Sequence, residues 1–175
     1  MLETKIMRNV LIIILSLSFL SFHKDNFIPN PTDLGEKIFA TIKSQNRKEF
    51  TKLIATKKQI MSRIDEADED STRLAVFKIQ FGAKLDQDKE ITRKNLFKEF
   101  EEIIKEINSN NCKKTIQLVK ITPDVNKLRQ LPIELGELDL EIEYKEFKKT
   151  ISVKIIYTTV GWRILEKLRT KSTRH

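Results

Sequence analysis

The chain has 175 residues, enough for one domain with a sizeable core and too few to expect two. Hydrophobic residues make up 39% and charged residues 33%, a balance that excludes a disordered chain. The net charge of +8 arises from 33 basic residues interleaved with 25 acidic ones. There is no run of five basic residues and no basic stretch with aromatics at stacking spacing, so nucleic acid is not an expected partner.

In chain order, the N-terminal segment sets the expected compartment. Lys5 and Arg8 precede an apolar run from Val10 to Phe22. That run falls short of the roughly 20 apolar residues that a membrane span needs, so no stable span is expected. It fits a secretory signal peptide, with Ser16 and Ser18 at the small-x-small cleavage spacing. Residues 1–18 are therefore read as a signal peptide, residues 19–32 as a linker, and the protein as exported, either periplasmic or secreted. The alternative is an uncleaved segment that anchors the protein to a membrane.

Helical periodicity follows. Asp33 with Glu36 has capping-box spacing ahead of the apolar stripe Leu34, Ile38 and Ile42. Asn46 with Glu49 repeats that spacing ahead of Phe50, Leu53 and Ile54, giving two short helices around a polar corner. Lys57 to Ile64 is predicted to continue helically into "DEADED", residues 65–70. These acids lack the mid-loop glycine and late bidentate Glu of a calcium loop. They suit the positive N-terminal end of a helix whose face carries Leu74, Phe77 and Phe81. The clearest helix spans "DKEITRKNLFKEFEEIIKEINSNN", with Leu96, Phe100, Ile103, Ile104 and Ile107 on one side.

After Cys112 the period changes to two. "TIQLVKIT" reads as a strand ended by Pro123. Leu138, Leu140, Ile142 and Tyr144 alternate with acids, and Ile151, Val153, Ile155 and Tyr157 alternate with polar residues, so each strand has one buried face. A loop over Thr158 to Gly161 would pair Tyr157 with Trp162 and Ile155 with Ile164, with Gly161 at positive φ. The same parity turns Glu166 inward, unless the strand has ended or twisted there. One domain is thus expected over residues 33–169, followed by a basic tail over 170–175.

Catalytic groups are sparse. His23 and His175 both fall outside the predicted domain, and Cys112, the lone cysteine, has no histidine to activate it. It cannot form an internal disulfide, and burial as a small hydrophobe is its expected state. No phosphate loop, dinucleotide fingerprint or zinc pattern is present. No metal and no cofactor are expected.

Two short helices around "ATIKSQNRKEFTKLI", a longer helix, and a sheet ending in "VGWRILEKL" resemble the NTF2-like superfamily. The resemblance covers about residues 33 to 169 and departs from the minimal form in the helices across Lys57 to Gly82. It implies an α+β cone, with N-terminal helices packed on a curved antiparallel C-terminal sheet, and a pocket between them. Some members use an Asp/His pair there; this chain offers no matching His, and no functional residue carries over. The expected function is a non-enzymatic binding or interaction domain that holds a small apolar ligand or a protein partner at the concave sheet face. The pocket candidates are Tyr144, Tyr157, Trp162, Ile164 and Glu166. The alternatives are a small carboxylate-using enzyme in that pocket and a basic protein binding an anionic surface. A homodimer stays open.

Overall fold

The structure, a computed structural model, describes residues 27–66, 72–109, 115–125, 133–144 and 147–173. The export segment, most of "DEADED", Cys112 and both histidines lie outside these residues. Among the described residues, four helices precede a four-stranded antiparallel sheet of order β1-β2-β3-β4, an α+β arrangement with helices packed against the sheet.

Helix α1, Pro31–Ser44, is capped three residues earlier than expected. Asn30 caps it, accepting from the Asp33 backbone N–H at 2.8 Å, and Pro31 sits in the first turn. Asp33 therefore lies at the third helical position. Proline is preorganised for that first turn and has no N–H to leave unpaired, which moves the start back. Gln45 adopts the left-handed conformation at the corner, and Asn46 caps α2, Arg47–Leu53, by accepting from Glu49 N–H. Helix α3, Lys57–Asp65, is separate and opens on a full capping box between Thr56 and Gln59. Of the acidic run, the described Asp65 and Glu66 are paired with Lys78 at 2.5 Å and Arg63 at 3.2 Å.

Helix α4 runs unbroken through Gly82, from Thr72 to Ser109. Thirty-eight residues at 1.5 Å each make it roughly 57 Å long. Its C-terminal half buries Leu96, Phe100, Ile103 and Ile107, and joins α1 and α2 over one face of the sheet. Phe50 stacks on Phe100 at 4.2 Å inside that layer. Its N-terminal half carries Leu74, Phe77, Phe81 and Leu85 into a second, smaller core with α3, Leu135, Ile156 and Leu165. Successive strand residues point to opposite faces, and Ile155 lies in the first core while Ile156 lies in the second. Helices thus cover both faces at this end of the sheet.

The strands are β1 Gln117–Asp124, β2 Leu135–Tyr144, β3 Phe147–Thr158 and β4 Gly161–Thr173. Pro123 lies inside β1 rather than ending it, a placement that an edge strand tolerates. Tyr157 pairs with Trp162 and Ile155 with Ile164, as the period-two pattern predicts. Gly161 has φ +83, and a Cβ there would meet the Ile28 carbonyl oxygen at 2.1 Å. That close approach lets Ile28 pair with the edge of β4, where Trp162 N–H donates to Ile28 O at 2.9 Å. Strand β4 continues to Thr173, with Thr170 to Thr173 opposite Ile151 to Lys148, so four residues expected in the tail belong to the sheet.

Candidate functional site

The sheet face under α1, α2 and the C-terminal half of α4 is filled by side chains. Trp162 is 4% exposed and Ile164 0%; the Trp162 ring meets Tyr157 edge-on at 5.4 Å. Tyr157 also lies under the Arg63 guanidinium, 5.2 Å from its ring centroid. Tyr144 is buried, and its hydroxyl donates to Glu106 Oε1 at 2.6 Å. Lys149, itself buried, donates to the other oxygen of Glu106. Burial pushes the Glu106 carboxyl up, but the hydrogen bonds from Lys149 and Tyr144 and the lysine charge outweigh it and hold the group below the usual carboxylate range. This cluster ties α4 to β2 and β3.

Glu166 points elsewhere. The pairing of β3 with β4 shifts twice, between Val153 and Ile155, and Lys167 takes φ 53. A bulge of this kind reverses the facing of the residues around it. Glu166 consequently pairs with Lys154 at 3.1 Å on the outer side, while Leu168 enters the main core. The Leu168 N–H donates to Glu99 Oε2 of α4 at 2.7 Å. Burial leads in raising the Glu99 carboxyl above the usual range, and the Leu168 hydrogen bond opposes it.

The open space lies around this bulge, not on the inner face. A groove of about 380 Å³ runs between the corner joining α2 to α3, the middle of α4, and β4 at Leu165 and Glu166. Ile54, Ala55, Ile60, Phe81, Leu85 and Leu165 give it an apolar lining. Lys57, Lys58, Lys84 and Arg93 also line it, and Glu166 is the one expected pocket residue that does. Between Leu85 and Leu96, which enter the two cores, Thr92 lines the groove from the helix.

Two further cavities differ in character. One of about 260 Å³ is lined by Lys37, Thr41, Lys52 and the buried Arg163, whose guanidinium burial pushes down to about 10. Arg163 donates to its neighbour's carbonyl, Trp162 O, at 2.7 Å. The other is a shallow charged surface around Arg47, Arg93, Lys94, Lys98 and Glu101, where Arg47 pairs with Glu101 at 2.7 Å and Lys98 with Glu102 at 3.8 Å. Among the described residues no cluster of three or more His, Cys, Asp or Glu is placed to hold a metal ion. No helix among them is long and apolar enough to cross a membrane.

The groove escaped the sequence reading. Two signals carry it: Thr92 between Leu85 and Leu96 on α4, and Leu165, an apolar residue out of step with Trp162 and Ile164.

No protein-family profile matches the chain, and no curated protein does. Two solved structures are similar to it at low level. One is a cystatin-like protein from Ruminococcus gnavus, at 12% identity and TM-score 0.45 over 82% of this chain and 45% of that one. The other is a PatG domain of unknown function, at 10% identity and TM-score 0.30 over 82% of this chain and 50% of that one. This chain spans about half the length of each.

Proposed function

We propose that the protein is an exported, non-enzymatic binding domain of the NTF2-like kind, and that it takes an apolar ligand body in the groove between α3, α4 and β4. The groove itself is the supporting observation: six apolar side chains line one concavity of about 380 Å³. That volume falls within the roughly 300–1,000 Å³ of small-molecule sites. The inner sheet face, where the sequence pattern points, is occupied by Trp162, Ile164 and their neighbours. Glu166 is the carboxylate lining the groove among the described residues, and Lys154 holds it.

The test uses Nile red, a neutral dye that brightens in apolar sites. Thr92→Trp places a large ring in the groove from a half-buried helix position, where a tryptophan keeps the helix intact. The wild type is expected to bind the dye, and Thr92→Trp to lose at least about tenfold in affinity at an unchanged melting temperature. Undiminished dye binding by Thr92→Trp overturns the groove assignment.

Export rests on Lys5 and Arg8 ahead of a short apolar run. Fusing residues 1–30 to a reporter active only outside the cytoplasm should give signal; a silent fusion contradicts it.

A further inference from the structure

We infer that the ligand of this groove is a free amphiphile with one apolar chain and an anionic head group; this rests on the groove being a binding site. The charges around it are unequal. Lys57 is held by Asp86 at 2.5 Å, and Glu166 by Lys154 at 3.1 Å, so these two lining charges are already compensated. Lys58, Lys84 and Arg93 are exposed, and among the described residues none of the three stands in an ion pair. Arg93 is fixed in direction by lying over the Phe97 ring, 5.7 Å from its centroid.

Three cations therefore surround an apolar trough, two on α4 and one at the start of α3. Like charges around one opening repel, and a neutral apolar ligand leaves that repulsion in place. An anionic head at the rim relieves it, while the chain lies along Phe81, Leu85 and Leu165. Lysine suits this arrangement, because its methylene stem adds apolar wall while the ammonium stays in water. Beyond Arg93, Lys94 adds one more exposed cation on α4, whereas Arg47 and Lys98 on that surface are held by Glu101 at 2.7 Å and Glu102 at 3.8 Å.

Dodecanoate and dodecanol share one chain and differ in head charge, so competition of each against Nile red on the full mature chain separates the two claims. The wild type should release the dye to dodecanoate at a concentration at least about tenfold lower than to dodecanol. The triple variant Lys58→Gln/Lys84→Gln/Arg93→Gln should bring the two within about twofold, through weaker competition by dodecanoate. Equal competition in the wild type overturns the anionic head and leaves the groove standing. Failure of both competitors, with Thr92→Trp binding dye normally, overturns both readings. Association with anionic phospholipid vesicles without competition by dodecanoate overturns the free amphiphile and assigns the cations to a membrane surface.

Discussion

Tyr144 shows how a residue suited to a ligand site becomes structural. Its alternation with acids places it inward, and an inward tyrosine needs a partner for its hydroxyl. Glu106, reaching over from α4, is that partner, and Lys149 completes the charge balance. Because the folded-state Glu106 carboxyl lies below its usual range, the unfolded chain binds more protons between the two values. Its contribution to stability is therefore present above the ordinary glutamate value and is lost as pH falls through the folded one. The melting-temperature gap between wild type and Glu106→Gln should be widest near neutral pH and narrow in acid. Glu99, whose carboxyl is shifted up, moves stability the opposite way but is common to both proteins and cancels in the difference. A gap that stays constant with pH contradicts this role for Glu106.

The terminal hairpin was the most legible element. Tyr157, Trp162, Ile155 and Ile164 repeat at period two around Gly161, and local spacing alone fixes the register. The corner at Asn46 was legible for the same reason, because a cap is read over three residues. Glu166 was not. Its facing depends on a bulge at Lys167, a non-glycine residue in the left-handed region that nothing in the local pattern marks. The bulge is held from a distance, since Glu99 on α4 satisfies the Leu168 N–H. Helix α4 was legible only in pieces. The sequence pattern reads as one helix carrying Leu74, Phe77 and Phe81 and another from Asp88, yet Ala, Lys, Leu and Gln between them are good helix formers and carry the turn through. The groove opens beside that junction, with Phe81, Leu85 and Thr92 along it. Its walls come from α3, α4 and β4, elements far apart in sequence, so it took the tertiary structure to bring them together.

At the scale of the molecule, helices on both faces and edge pairings at Ile28 and Ile54 leave β4 covered along its first half. An open sheet edge would invite pairing with another chain, and these contacts occupy it. The inner core is filled, with Lys149 and Arg163 as its buried charged neighbours, whereas the groove is open, apolar within and cationic around. These two regions make opposite forecasts for where a ligand goes. Methyl resonances report on both at once, because Ile and Leu line each of them, with Ala55 in the groove and Val153 in the core. Titrating methyl-labelled protein with dodecanoate should shift Ile54, Ala55, Ile60, Leu85 and Leu165, while Leu138, Val153 and Ile164 stay in place. Shifts concentrated on Leu138, Val153 and Ile164 would contradict the account and return the ligand to the inner face of the sheet.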